Sequence, residues 1–513
     1  MQSDYAHAPG LHFASERVAH ARCESHCIIS FELHRNRQDM KTTPPEVASK
    51  LAEYRQEHLL QWWEELSGEQ QDSLKTQIQS VDFETIQRVW QESKQGSDTA
   101  DTGVDRVEQA AAPGAVVLQP SSDAEETQWQ HATKVGAKLL TDSKVAVITV
   151  AGGQGSRLGF AHPKGMFPIG PISSRSLFQV FAEQILARKR RHGGAIPWLI
   201  MTSAATHAET IDFFEQHDFW GLDRNTVAFF QQGSMPAVDA SSGRVLMSAP
   251  DALCLSPDGH GGLVMALKSS GLLDRMASDG IESFFYHQVD NPTVIMCDPA
   301  LVGLHTLNDS QLTTSVVKKK HPTEPMGVLV DINDHVEIIE YSELDEEQAA
   351  GEDASGQWIF WAGNTAIHIF SLSFLEQLTT GGGQLELHVA KKPVDHLDAT
   401  GKLVETSELN ANKFERFIFD ALPLASTALI VEGSREREFN PVKNAEGNDS
   451  PATSRAALSR IGREWLATAG HSVRETATVE ISPLTALDAN ELASRLADGS
   501  VTVDGLTESP AAS

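Results

Sequence analysis

The sequence predicts an α/β protein with a mixed, mostly parallel central sheet, a helical unit before it and a small unit behind it. Two observations carry that prediction. Short, continuously apolar runs, VAVITV (145–150) and WLIMT (198–202), are separated by a helical stretch from about Ser176 to His192, the pattern of parallel strands covered on both faces. Directly after the first run comes GGQGSRLG, residues 152–159, where glycines let the backbone turn sharply at a strand end.

Length and composition bound the rest. At 513 residues the chain exceeds one common domain of about 100–200 residues, so two or three are expected. Its 40% hydrophobic and 22% charged residues are those of an ordinary globular protein. No run approaches the roughly 20 apolar residues of a spanning helix, and CIISFEL (27–33) is too short for a secretory signal, so a cytoplasmic location without a membrane partner is expected. The formal charge, 41 − 70 = −29, opposes non-specific binding to nucleic acid. An anionic ligand would therefore need a local cationic island.

Taken in order, residues 1–39 lack periodicity and are expected to form a disordered extension. Within them HARCESHC (20–27) gathers His20, Cys23, His26 and Cys27, a candidate metal clip against which stands the absence of a second ligand pair at zinc-finger spacing. The cysteines otherwise fit a reducing compartment. Residues 40–95 read as a helical unit. Leu59, Trp62, Trp63 and Leu66 fall at i, i+3, i+4 and i+7, and Ser67 with Gln70 forms a capping box before a second face of Leu74, Ile78 and Val81. Residues 96–126 turn to Ser, Asp, Ala, Gly and Pro, the composition of a linker or mobile loop. Residues 127–435 hold the strands, with further candidates at 226–232, 283–290, 314–318 and 428–433. Residues 436–513 read as a small domain with one helix, SRAALSRIGREWLATAG, and a frayed end.

The glycine stretch suits phosphate, because bare backbone brings N–H groups against an anion and a helix N-terminus behind the turn would attract it further. Two familiar glycine loops are absent: no G-x-x-x-x-G-K-[ST] occurs, and Leu158 stands where a dinucleotide fingerprint needs glycine. What remains is G-G-x-G-x-R-x-G followed by Pro163-Lys164. Arg157 offers a planar fork to phosphate oxygens and Lys164 a point charge. Asp290 closes the apolar run SFFYHQVD, where a carboxylate is placed either to hold a hard cation or to cap a turn.

AGGQGSRLGFAHPKGMFPIG (151–170) resembles the signature of the eukaryotic-type UDP-N-acetylhexosamine pyrophosphorylases, with related loops in UDP-glucose and UDP-sugar pyrophosphorylases. FFQQGSMPA (229–237), SPDGHGGL (256–263), VDN (289–291), HPTEPMGV (321–328), EYSEL (340–344), NTAIHIF (364–370), FERFIFD (414–420), REFNPVKNAEGNDSP (437–451) and VEISPL (479–484) resemble that family's blocks in the same order. The resemblance implies a Rossmann-like nucleotide-diphospho-sugar transferase domain that joins UTP and a sugar 1-phosphate with the help of Mg²⁺. It assigns Gly152, Gly153, Gly155 and Ser156 to the nucleotide, and Arg157, Lys164 and Lys443 to the phosphates. Gln232 and Gly259 fall at uracil-binding positions and Asp290 at the metal. Gly327, Glu340 and Asn364, walled by Phe417 and Phe419, fall at the sugar. One departure stands out: the usual D-G-N-G-G reads Asp258-Gly259-His260-Gly261-Gly262, closer to the glucose-type relatives. Expected is UDP-N-acetylglucosamine synthesis, with UTP–glucose-1-phosphate transfer or a broad sugar range as the alternative. A silent UDP-sugar-binding relative would be expected to have lost Arg157, Lys164, Asp290 or Lys443, and all four are present.

Overall fold

The structure, a computed structural model, describes residues 43–95, 106–333, 335–380 and 385–502. The extension 1–39, with its His20, Cys23, His26 and Cys27, lies outside the described residues. By its contacts the chain falls into two compact units.

The first unit takes in the chain up to Arg88 together with Pro236–Cys254 and Lys391–Asn412, so the helical stretch expected from 40–95 draws on two later segments. Helix α1, Pro45–Glu53, opens with proline at its first turn, where no N–H is needed. Helix α2, Gly68–Ser80, starts at the expected capping box: the Ser67 hydroxyl accepts from the Gln70 N–H and the Gln70 side chain accepts from the Ser67 N–H. Leu74, Ile78 and Val81 are buried. The amphipathic helix expected through Leu59, Trp62, Trp63 and Leu66 is instead two short 3₁₀ turns, Glu57–Leu60 and Trp63–Glu65. Arg55 takes a left-handed conformation (φ 57°) just before them. The side chains that follow bond to another segment: Gln56 takes the Val245 N–H (2.9 Å) and donates to the Gly243 carbonyl (3.2 Å), and His58 meets the Val245 carbonyl (2.8 Å). Only Leu59 and Trp63 are buried.

The second unit is built on a ten-stranded sheet. Its strands are β1 (Val116–Val117), β2 (Val145–Val150), β3 (Trp198–Thr202), β4 (Val227–Gln231), β5 (Ser283–Gln288), β6 (Leu312–Lys318), β7 (Val328–Ile332), β8 (His335–Ile339), β9 (Ala362–Ser371) and β10 (Ala428–Glu432). The order is β1-β10-β6-β9-β5-β2-β3-β4, with β7 joining β8 and β9. Neighbours are parallel along β1-β10-β6 and along β5-β2-β3-β4, and β9 runs antiparallel between those two halves. Alternate residues of β2 feed opposite faces. Val145 and Val147 join one core with Phe178, Phe181 and Trp198, while Ala146 and Ile148 join another with Leu199, Phe284 and Tyr286. Burial on both faces is why these strands read as unbroken apolar runs.

Part of the expected linker is built into this sheet. Strand β1 pairs in parallel with β10, Arg106 pairs with Glu337 (2.8 Å) and Glu343 (3.3 Å), and helix α3, Asp123–Thr141, begins at an N-capping Ser122. Helix α4, Leu177–His192, is capped by Ser176 as expected and ends on Gly193 in the left-handed conformation. Further on come α5, Pro299–Leu307, α6, Pro451–Thr468, and α7, Ala489–Ala497. Residues 436–502 belong to this same unit. The Glu480 carboxylate ties them in by accepting from Ile172 N–H (2.6 Å), Ser173 N–H (2.7 Å) and Arg175 (2.8 Å). Among the described residues no helix is long and apolar enough to cross a membrane.

Candidate active site

The carboxyl ends of β2, β3, β4 and β5 point the same way, which is where open α/β sheets bind ligands. At the end of β2 the chain enters the glycine loop, and the loop folds back on itself: the Gly155 N–H reaches the His162 carbonyl (2.9 Å) and the Lys164 N–H reaches the Gly153 carbonyl (3.0 Å). A Cβ on Gly155 would stand 2.8 Å from the Phe160 ring, and one on Gly152 would stand 3.0 Å from Oε1 of Gln232, whereas Gly153 faces open space. Ser156–Leu158 forms a 3₁₀ turn closed by a left-handed Gly159, and Lys164–Met166 forms a second behind Pro163. Between the loop and α4, which begins at Leu177 as the sequence pattern predicts, lie these two short turns. The loop therefore presents the exposed Arg157 and Ser156 at the strand end, with no long helix starting there.

Lys164 is not a surface lysine. Its Nζ lies 3.4 Å from Oδ2 of Asp290, and the two side chains are only 17% and 13% exposed. Asp290 stands two residues beyond β5, and its carbonyl accepts the Val442 N–H (2.8 Å), which seats Lys443 on the same edge. The Lys443 ammonium lies 5.5 Å from the Phe439 ring centroid. Asn291, next to Asp290, fastens this meeting point by donating to the Glu438 carbonyl (2.6 Å) and accepting from the Asn440 N–H (3.2 Å). Asn291 lies in the VDN run, whose pattern carries no sign of this fastening role.

Gln232 follows β4, with its N–H bonded to the Thr202 carbonyl (2.9 Å). Gly259 needs its glycine: φ is 86°, and a Cβ would stand 2.4 Å from the Arg416 carbonyl oxygen. The 258–262 loop is strapped to the 416–418 segment by Arg416 N–H to Asp258 O (2.7 Å), Gly261 N–H to Arg416 O (2.8 Å) and Ile418 N–H to Nδ1 of His260 (3.1 Å). That last bond fixes Nε2 of His260 as the protonated nitrogen. Burial pushes the imidazole down to about 4, so it is neutral at pH 7. The Asp258 carboxyl is raised by burial, with Arg416 opposing, and it packs where Cβ atoms on Gly233 and Gly262 would stand.

The sugar-end residues also come together. The Asn364 N–H reaches the Gly327 carbonyl (2.8 Å), and Oε1 of Glu340 lies 2.8 Å from where a Gly327 Cβ would be. The Asn364 side chain accepts the N–H of Ala366, which sits at φ 56°. Burial and the nearby Glu343 raise the Glu340 carboxyl, while Lys443 and His388 pull it back. Phe417 and Phe419 stack at 5.1 Å, and Phe417 lies 5.5 Å from the His260 ring. On pattern alone these alternating phenylalanines read as core. Phe419 is buried in the core beneath the sheet, and Phe417 packs half-buried against it.

Among the described residues no three His, Cys, Asp or Glu gather into a protein-only metal cluster. Mg²⁺ needs no such cluster, since one or two carboxylates plus substrate phosphates hold it. The Asp290 carboxylate, at a strand end beside Lys164, fits that donor set.

A mostly parallel sheet with a glycine loop, two lysines and a carboxylate at its carboxyl edge defines an α/β nucleotide-binding transferase. The family model described as UTP--glucose-1-phosphate uridylyltransferase matches residues 83–487. UDP-N-acetylglucosamine diphosphorylase 2 of Arabidopsis thaliana is 35% identical over 85% of this chain and 89% of its own length. UDP-N-acetylglucosamine pyrophosphorylase of Saccharomyces cerevisiae is 34% identical over 83% of this chain and 92% of its own length. Among solved structures, the uridine diphosphate N-acetylglucosamine pyrophosphorylase of Trypanosoma brucei, in complex with an inhibitor, aligns with a TM-score of 0.75 at 26% identity, covering 89% of this chain and 96% of that one. The chain belongs to this family of UTP-dependent sugar-1-phosphate uridylyltransferases.

Proposed function

We propose that the enzyme forms UDP-N-acetylglucosamine and pyrophosphate from UTP and N-acetylglucosamine 1-phosphate. The observation that supports this reading is the Lys164–Asp290 pair at the end of β5, with Lys443 following the residue whose N–H binds the Asp290 carbonyl and acting on the Glu340 carboxyl. An oxygen of the sugar phosphate attacks the α-phosphorus of UTP in line. A new P–O bond forms as the bond to the β-phosphate oxygen breaks, and pyrophosphate leaves with the electron pair. No proton need move, so the protein's work is positioning and charge neutralisation. Gly152, Gly153, Gly155 and Ser156 bind the nucleotide, with Gln232 and the backbone of Gly259 reading the uracil. Arg157 and Lys164 offset charge on the triphosphate, and Lys443 holds the sugar phosphate opposite. Asp290 would hold Mg²⁺, which would supply charge neutralisation for the phosphates. Glu340, Asn364 and the Gly327 backbone take the sugar hydroxyls and N-acetyl group, against Phe417 and Phe419. The names of the relatives at 34–35% identity support N-acetylglucosamine. His260 supports glucose 1-phosphate as a second, weaker substrate. Two buried free thiols, Cys254 and Cys297, support a cytoplasmic setting, and the chain's net charge of −29 argues against a nucleic-acid partner.

Pyrophosphate release from UTP across a panel of sugar 1-phosphates tests the reading. N-acetylglucosamine 1-phosphate should lead, with measurable use of glucose 1-phosphate. Preference for glucose 1-phosphate by about tenfold, ~1.4 kcal/mol in transition-state binding, would overturn the sugar assignment while leaving the chemistry standing. Asp290→Asn should move the Mg²⁺ titration of activity to higher concentration, since one ligand charge is lost while the shape is kept. An unshifted curve with full activity would make Asp290 a turn cap.

A further inference from the structure

His388 belongs to none of the motifs above, yet it stands at the sugar end of the site. Its Nε2 lies 2.8 Å from Oδ2 of Asp420, and its ring stacks on Phe417 at 4.5 Å and 28°. Phe417 is stacked on its own account against His260, at 5.5 Å and 26°. The wall residue is therefore in contact with two imidazoles, one neutral and one paired with a carboxylate. We infer that His388 is a positioning residue for the sugar 1-phosphate: held by Asp420, it fixes the Phe417 ring that walls the sugar end. The inference rests on the proposed function and adds a residue to it.

The charges around His388 favour this. Its hydrogen bond to Asp420 raises the imidazole above its ordinary value, and Asp420, Glu386 and Glu343 all favour the cation. The groups acting on Glu340 divide into Glu343 and Asp420, which raise it alongside burial, and Lys443 and His388, which lower it. Arg106 is already engaged by Glu337 and Glu343, and His260 is neutral. Lys443 is assigned to phosphate, which leaves His388 as the other group that lowers the Glu340 carboxyl. A ring without charge would keep the stack and lose this second effect. That difference makes the two parts of the role separable.

The test compares His388→Ala, His388→Phe and the native enzyme in steady-state kinetics from pH 5 to 9, with calorimetric binding of UDP-N-acetylglucosamine and of UDP. His388→Ala should raise KM for the sugar 1-phosphate by about tenfold while KM for UTP stays within about twofold, the split expected when only sugar binding is weakened. It should weaken UDP-N-acetylglucosamine but not UDP. His388→Phe should recover part of the sugar KM at pH 8. Its acid limb in kcat/KM should nevertheless lie at higher pH than the native limb, because Glu340 then takes up its proton earlier. Native-like sugar KM and acid limb in both variants would overturn the inference, as would equal losses for UTP and sugar phosphate. If the native enzyme turns over no sugar 1-phosphate, the proposed function fails first. In that case equal weakening of UDP and UDP-N-acetylglucosamine by His388→Ala overturns the positioning role separately.

Discussion

At the scale of single residues, the Lys164–Asp290 pair decides most. A lysine in a glycine loop reads from sequence as an exposed charge for phosphate, whose loss would lower turnover and spare stability. The structure instead buries it against a carboxylate, so removing it leaves Asp290 short of a counter-charge. Lys164→Ala should therefore lower turnover by about 100-fold or more and also cost about 1–3 kcal/mol of stability. Pyrophosphate release and thermal unfolding of the same preparation check both; unchanged turnover would remove Lys164 from the site. His260 makes a second prediction. Its Nδ1 is occupied by the Ile418 N–H, which leaves Nε2–H as the group free to meet a sugar hydroxyl that both candidate sugars share. His260→Asn should raise the ratio of kcat/KM for N-acetylglucosamine 1-phosphate over glucose 1-phosphate, and a constant or falling ratio would detach residue 260 from sugar choice. The glycine loop, Arg157, Lys164 and Asp290 were legible from residue chemistry and position at strand ends. Gly327, Glu340, Asn364 and Lys443 were legible only through the family resemblance, because a lone glycine, glutamate, asparagine or lysine in a loop carries no pattern. His388 was not legible at all: it falls in none of the motifs, and its partners lie 29 and 32 residues on.

At the scale of elements, what was legible depended on whether local pattern or distant contact shaped the segment. Strands β2, β3 and β5 and helix α4 were plain because two-sided burial and capping leave their marks in the local sequence. The stretch 57–66 has the apolar spacing of a helix, but Gln56 and His58 bond to residues almost 190 positions away, and short turns result. β1 was hidden because two valines among Ala, Gly and Pro do not outweigh a linker composition. The segment 434–443, which carries Lys443, adds a prediction of its own. Its Glu438 is buried near Asp298, and burial raises its carboxyl from the ordinary 4.5 to about 7. A raised acid contributes its full share of stability below the unfolded value and loses it as pH climbs through the folded one. Between about pH 4.5 and 7 the native protein should thus lose stability relative to Glu438→Gln. The Tm difference between the two should widen over that window and level off above it. A difference independent of pH would mean that Glu438 ionises as freely in the fold as out of it.

At the scale of the whole molecule, the first compact unit is a patchwork of three stretches of chain. Gln77 binds across Asp251 and Leu253, Gln56 across Gly243 and Val245, and Ala237, Leu246, Cys254 and Ala411 share one apolar cluster. A fragment ending at residue 95 should therefore show a non-cooperative melt and weak near-ultraviolet circular dichroism, whereas the full chain should melt cooperatively. A sharp transition in the fragment would show that the first stretch holds a core by itself. The patchwork also governs how the protein is made. A ribosome releases the opening helices first, yet the last stretch of their unit, ending at Asn412, is translated more than 300 residues later. At about 5–20 residues per second that is a wait on the order of tens of seconds. Through that interval the opening helices lack the last stretch of their compact unit, so newborn chains, rather than finished enzyme, should be the form that chaperones and proteases meet most readily.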